Sequence, residues 1–321
     1  MQSVTRYFVA LAAVCVPALG AAQTYPTKSV LMIMPLQAGS SVDVGMRIVT
    51  QKMAESMGQQ IVIDNQPGAA GLIGTERFMR STPDGYTLAT LNDSILTMIP
   101  NLYKKVAYDP LKSFAPVSLV AFNTWLLVNH PSLPVKSARE LVALAKARPG
   151  EINYASYGNG SINHLAGELF SSLADIKVTH VPYKGGAPAI ADLLGGRVQY
   201  TFDGTASLGQ VKSGKLKLLA VTSARRWTAF PEVPTVAESG VPGYDFVAEI
   251  GFYAPAGAPR EVISRIAGEV QKAVKQPDVV QRFRQLGIDP VGSTPEAYNA
   301  ANRENYRKYE RVVKASGAKI D

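Results

Sequence analysis

The sequence predicts an α/β protein of two lobes, each with a largely parallel central sheet, the first lobe being assembled from both ends of the chain. Three observations predict this. Short β-rich runs alternate with segments of helical periodicity. Two longer β-rich stretches, 117–128 and 247–253, are suited to carry the chain from one lobe to the other and back. One loop pattern, a strand leading through small polar residues into a helix, occurs once in each half.

The elements follow in order. Val30–Met34 is a buried strand, and Gly39-Ser40-Ser41-Val42-Asp43 is the first copy of the loop. The helix after it places Met46, Val49, Met53 and Met57 at helical spacing, with Gly58 as its C-terminal cap. Strand 61–63 leads through loop 65–71 into a second helix, and Pro83-Asp84-Gly85 is a turn. Strand 87–91 ends in Asn92-Asp93-Ser94, a third small polar end. After the first crossing come helix 138–147, strand 152–155, and the second loop, Tyr157-Gly158-Asn159-Gly160-Ser161. Helix 165–173, strand 178–181, helix 187–194 and strands 198–202 and 216–222 complete the second lobe. Residues 231–259 are rich in Pro and Gly, and the end is helical over 259–275, 277–286 and 295–316. The expected domains are 23–123 with 225–321 for lobe 1, and 124–224 for lobe 2.

Composition narrows the function classes. The chain has 321 residues, with 46% hydrophobic and 18% charged, which is globular rather than disordered. Residues 1–22 hold one charge, Arg6, an apolar run from Tyr7 to Val16 and small residues from Ala18 to Ala22. This is the pattern of a secretory signal peptide cut near Ala22-Gln23. The single cysteine, Cys15, lies inside it, so the mature chain is expected to hold no disulfide and no cysteine metal site. A lipoprotein reading of Cys15 is disfavoured because Val14 precedes it. The net charge of +8 is dispersed and not interleaved with aromatics, which argues against nucleic acid.

The loops carry the chemistry. Small polar residues at a strand-to-helix turn leave backbone N–H groups and a helix N-terminus free, and that geometry attracts anions. Taken alone, Ser41 and Asp43 also read as an ordinary capped helix start. The Gly158–Asn163 stretch lacks the third glycine of a dinucleotide loop, because Asn163 stands there. Ser161 lacks the frame of a nucleophile elbow, and His130, His164 and His180 have no metal-ligand spacing. No cofactor, metal or catalytic residue is expected. His164 either donates to a ligand or caps and packs its helix, and Trp125 and Trp227 read as core or hinge packing.

Taken together, the residues resemble the substrate-binding proteins of tripartite tricarboxylate transporters, the Bug receptors. The resemblance rests on Tyr25-Pro26-Thr27-Lys28, on Pro35 with 38–43, on Asn65-Gln66-Pro67-Gly68 and on Pro83-Asp84-Gly85-Tyr86. It continues in Tyr154–Gly160, His164–Phe170, Val181–Gly185, Pro231–Glu238 and Ala254-Pro255-Ala256-Gly257, and so spans nearly the whole mature length.

The resemblance implies a type II periplasmic-binding-protein fold that closes about a hinge on a small carboxylate: an organic acid, an amino acid or an aromatic acid. It implies a monomeric, periplasmic receptor that serves a membrane permease or a sensor. The family grips its carboxylate through the two loops without arginine, and neither loop here contains Lys or Arg. The hydroxyls of Ser40, Ser41, Ser156 and Ser161 are then the expected donors, with backbone N–H groups from Gly39, Gly158, Asn159 and Gly160. Ser94, Asn163 and His164 complete the expected polar lining. Asp43 is expected to order the first loop, and Asp203 to orient water or accept from a ligand amine.

This chain departs from the pattern at Leu36-Gln37, at Ser40 and at Glu249. Glu249 lies in Ala248-Glu249-Ile250-Gly251-Phe252, which lacks the tryptophan often found before that glycine, and it either faces the cleft or lies in a solvent-facing hinge. The rival reading is a secreted α/β enzyme acting on a small acid, with Asp43, His164 or Asp203 in acid–base roles.

Overall fold

The computed structural model describes residues 25–204, 207–227 and 230–316. The expected signal peptide, 1–22, and Cys15 lie outside the described residues.

The first lobe forms around strands β1 (Val30–Met34), β2 (Ile61–Asn65), β3 (Thr87–Asn92), β4 (Phe114–Thr124), β10 (Val247–Pro255) and β11 (Ile288–Pro290), in the order β11-β4-β10-β3-β1-β2. The second forms around β5 (Leu126–Asn129), β6 (Asn153–Ser156), β7 (Thr179–Pro182), β8 (Tyr200–Asp203) and β9 (Lys217–Val221), in the order β7-β6-β8-β5-β9. Both faces of each sheet are covered, so the strands read as continuous apolar runs whose alternate residues enter different cores. Met32 and Met34 pack on one side of the first sheet, and Ile33 on the other. In the second lobe Leu127 joins Tyr154, Phe170 and Phe202, while Leu126 and Val128 face Ala155, Leu193 and Trp227.

The α/β two-lobed architecture is as expected, but the sheets are mixed. Pairs β1–β2, β1–β3, β6–β7 and β6–β8 are parallel. Pairs β10–β3, β10–β4, β11–β4, β5–β8 and β5–β9 are antiparallel. The cause is the hinge: β4 carries the chain out of the first lobe and β10 carries it back, so the two lie side by side and run in opposite directions.

The first crossing falls at Thr124–Leu126, beside the expected boundary at 123/124. The expected return at 224/225 does not match the contacts. The N–H of Val236 donates to the Val221 carbonyl at 2.9 Å, and that of Phe246 to the Thr222 carbonyl at 2.9 Å. Tyr244 and Phe246 are buried in the core of the second lobe. The described part of segment 225–246 therefore wraps the second sheet, and the chain returns only at Val247, where the second long β-rich stretch begins.

Helix α10 (Pro295–Ser316) is not confined to one lobe either. Its Tyr298 packs in the first lobe, and its Tyr309, Val312 and Val313 in the second. Five short elements escaped the sequence reading: a 3-10 turn at Ala69–Gly71, a π-helical turn over Ser94–Met98, a four-residue helix at Ile99–Leu102, a five-residue helix at Leu208–Lys212 and the three-residue β11. Each is too short for its periodicity to show.

Candidate functional site

Helix α1 (Ser41–Met57) begins directly after the first loop, and helix α5 (Ile162–Ala174) directly after the second. The two loops share a backbone plan. Gly39 has φ +82° and Gly160 φ +77°, a left-handed region where a side chain is strained. The next residue is the N-cap in both, with φ −66° and ψ 158° at Ser40 and φ −74° and ψ 159° at Ser161. Four residues after each glycine a side chain reaches back to it. The Gly39 N–H donates to Asp43 Oδ2 at 2.9 Å, and the Gly160 N–H donates to His164 Nδ1 at 3.2 Å. His164 is thus the counterpart of Asp43 and orders its own loop.

The details differ. Ser40 Oγ accepts from the Asp43 N–H at 3.2 Å, as an N-cap should. The Ser161 hydroxyl instead lies 2.6 Å from the Gly158 carbonyl and 2.7 Å from Asn163 Oδ1. Asp43 is buried, and Asn65 Nδ2 and Arg47 Nε donate to it at 3.0 Å each. Burial pushes the Asp43 carboxyl up. The bonds from Arg47, Gly39 and Asn65 together outweigh it, so the group sits below the usual carboxylate range.

Between the lobes lies a cleft of about 750 Å³. Leu36, Ser40, Ser41 and Val42 line it from the first loop, and Tyr157 and Ile162 from the second. Gly186, Ala187 and Ile190 form part of the second-lobe wall, with Asp203 and Gly204 at the end of β8. Asn92 closes the β3 end, and Asn123, Trp125, Ala248, Glu249 and Ile250 form the hinge floor. None of these residues is Lys or Arg. An adjoining pocket of about 460 Å³ is shared by Leu36, Asn92, Ser94, Tyr157, Asn159 and Ser161.

The expected site residues separate into three groups. Ser40, Ser41, Asp203 and Glu249 line the main cleft, and Ser94, Asn159 and Ser161 the adjoining pocket. Gly39, Gly158, Gly160, Asp43, Asn163 and His164 sit behind as the frame of the loops, Asn163 Oδ1 accepting from the Tyr157 N–H at 3.1 Å. Ser156 is turned inward. It is fully buried, and its Oγ lies 2.5 Å from His180 Nε2. The His180 ring stacks on His164 at 4.0 Å. Burial, with the neighbouring His180, lowers His164 to about 3, and burial lowers His180 to about 4. Both rings are therefore neutral at neutral pH and bring no cation to the cleft.

The acidic residues are held from behind. The Tyr157 hydroxyl bonds Asp203 Oδ1, and the Ser207 N–H donates to Oδ2 at 2.7 Å. Burial nevertheless raises the Asp203 carboxyl above its ordinary range. The Glu249 N–H donates to Asp93 Oδ2 at 2.8 Å, and Glu249 Oε1 accepts from Asn305 on α10 at 2.9 Å. Glu249 therefore borders the cleft while its carboxyl is tied to α10 behind the hinge strands. Asn123 and Ile190 were not singled out from the sequence, and Tyr157 and Asn92 were named only as parts of the second loop and of the third small polar end, not as site residues. Trp125, read as packing, both packs at the hinge and lines the cleft.

The chain was compared with known proteins. The profile described as tripartite tricarboxylate transporter family receptor matches residues 46–318. Protein BugT of Bordetella pertussis is 36% identical over 324 residues, covering 100% of this chain and 98% of BugT. An R. palustris protein solved with adipate is 34% identical with a TM-score of 0.81, covering 92% of this chain and 100% of that one. MatC from Rhodopseudomonas palustris, solved with bound malate, is 30% identical with a TM-score of 0.77, covering 90% and 100%.

Proposed function

The chain belongs to the tripartite tricarboxylate transporter receptors, a family of periplasmic solute-binding proteins rather than enzymes, and from that premise we propose that it captures a small carboxylate in the inter-lobe cleft. One observation carries the reading: two matched loops, each a left-handed glycine followed by a serine at the N-cap position, open helices from opposite lobes toward a cleft whose described lining holds no Lys or Arg. At such helix starts the first N–H groups have no intrahelical acceptor, and the helix dipole favours negative charge. The N–H groups of Ser41 and Val42 have no acceptor within the described residues, nor do those of Ile162 and Asn163. A carboxylate has two oxygens and takes one from each lobe.

The carboxylate ligands of two related structures, adipate and malate, support this class. Closure follows from the same geometry. A ligand that bridges the loops gains contacts only when the lobes approach, so binding shifts the open–closed population. Residues 1–22 direct the chain to the periplasm, and the closed receptor delivers its solute to a membrane permease or a sensor. Among the described residues no helix is long and apolar enough to cross a membrane.

A thermal-shift screen of organic, amino and aromatic acids tests the reading. A ligand at a hundred times its Kd stabilises by about 2.7 kcal/mol. In a chain of this size, with an unfolding entropy of about 2.1 cal/mol/K per residue, that raises Tm by roughly 4 °C. The matching acid should be recovered unchanged, and its turnover would sink the receptor reading.

A further inference from the structure

We propose that His180, on the edge strand β7 and behind the cleft, is the positioning residue of the second loop, holding Gly158 through Ser156 and Gly160 through His164. This rests on the carboxylate reading above, in which that loop grips the ligand from the second lobe.

Strand register brings the residues together. β7 pairs with β6 in parallel, and His180 stands opposite Tyr154. Tyr154 and Ser156 are two apart on β6, so their side chains leave the same face of the sheet. There His180 Nε2 lies 2.5 Å from Ser156 Oγ. The His164 ring, carried by α5, stacks on His180 at 4.0 Å with 10° between the planes, and Tyr154 stacks on it at 4.9 Å. Such ring pairs contribute beyond the area they bury, so His180 is held firmly although it belongs to neither the loop nor its helix.

Two arms run from this ring to the loop. In the first, Ser156 Oγ accepts from the Gly158 N–H at 3.2 Å and lies 3.1 Å from the Gly158 carbonyl. That carbonyl also accepts from the Ser161 N–H at 3.2 Å and the Ser161 hydroxyl at 2.6 Å, and Ser161 lines the adjoining pocket. A proton on His180 Nε2 satisfies the whole set, since Nε2–H donates to Ser156 Oγ and the Ser156 hydroxyl is left to donate to the Gly158 carbonyl. In the second arm His164 Nδ1 accepts from the Gly160 N–H at 3.2 Å, and the stack on His180 fixes the plane in which it does so. The loop needs this support. Gly158 has φ +128° and Gly160 φ +77°, and glycine's freedom leaves such conformations unfixed by local sequence. A loop ordered before the ligand arrives spends less of the binding free energy on ordering.

Two variants separate the arms, read by amide hydrogen exchange of Gly158 and Gly160 in the ligand-free mature protein by NMR. His180→Phe keeps the stack and loses the donor, so Gly158 should exchange about two- to tenfold faster while Gly160 stays within about twofold. His180→Gln keeps a donor and loses the ring, so Gly160 should accelerate by about the same factor and Gly158 should stay near wild type. Ser156→Ala reads the first arm from its other end if either variant does not fold. Combined with His180→Phe, it should exchange Gly160 no faster than either single variant, because the two share one bond. Both amides unchanged, or both accelerated alike in the two variants as a general loosening would give, overturns the proposal. Calorimetry with adipate and malate gives the second readout, and each His180 variant should bind the acid that wild type binds about two- to tenfold more weakly. Faster exchange with unchanged affinity also overturns it. If wild type binds neither acid nor any of the thermal screen, the carboxylate reading fails, and the exchange pattern still decides whether His180 positions the loop.

Discussion

The Ser94 hydroxyl donates to the Gly160 carbonyl at 2.8 Å, tying the end of β3 in one lobe to the second loop in the other. The contact is buried and spans 66 residues of sequence. It couples the position of a ligand-facing loop to the opposite lobe. Ser94→Ala should weaken carboxylate binding about two- to tenfold, the range a lost neutral hydrogen bond supports. Calorimetry reads the affinity, and an unchanged Kd would show that the contact contributes equally in the open and closed forms.

Asp43 tests the first loop as a unit. Its carboxylate collects the Gly39 N–H, Asn65 and Arg47, and it lies below the usual range. A carboxyl lowered in the folded state adds stability above its unfolded pKa of about 3.9 and loses it as pH falls further. Asp43→Asn should therefore lower Tm at neutral pH, and the gap from wild type should shrink as the pH drops below about 4. It should also weaken ligand binding, because Gly39 loses the acceptor that sets the loop.

The stacked pair His164–His180 carries a pH dependence of its own. Both rings are lowered, to about 3 and about 4, so the unfolded chain takes up protons first as pH falls. Their contribution is complete above the unfolded value of about 6.5 and declines below it. Substituting His180→Gln should flatten the fall in Tm between pH 6.5 and 4. An equally steep fall in this variant would place the acid sensitivity elsewhere.

Asp93 and Glu249 act in the opposite sense. Burial raises both carboxyls, Glu249 adding to the rise at Asp93. Lys308 and Asn305 on α10 lower one or both, and Asp245 raises Glu249. A carboxyl raised on folding favours the folded state most at low pH, and the advantage declines as pH rises from the unfolded value of about 4 through the folded one. Glu249→Gln removes one charge of the pair, so Tm should gain more at pH 8 than at pH 5. A uniform change across that range would show that the two carboxyls do not interact.

The amino-acid sequence by itself determined the local plan. Apolar periodicity located nearly every strand and helix, because alternation and helical spacing are properties of neighbouring residues. Gly39-Ser40 and Gly160-Ser161 were legible as helix-opening loops for the same reason. The order of blocks from Tyr25 to Gly257 was specific enough to point to the family.

Tertiary structure alone decided which polar groups remain free to meet a ligand. Ser156 reads as a loop hydroxyl, yet it turns inward to His180, a residue 24 positions away. His164 reads equally as donor or cap, and the Gly160 N–H settles it as the partner that orders the loop. Asn123 and Trp125 carry no motif, and only the meeting of β4, β10 and the second lobe brings them to the cleft floor. The return strand at 247–253 was legible, but the lobe that segment 225–246 joins was not, because the segment has loop composition and its placement depends on backbone bonds to Val221 and Thr222. A side chain's direction and its partners are set by contacts distant in sequence, and no local pattern encodes them.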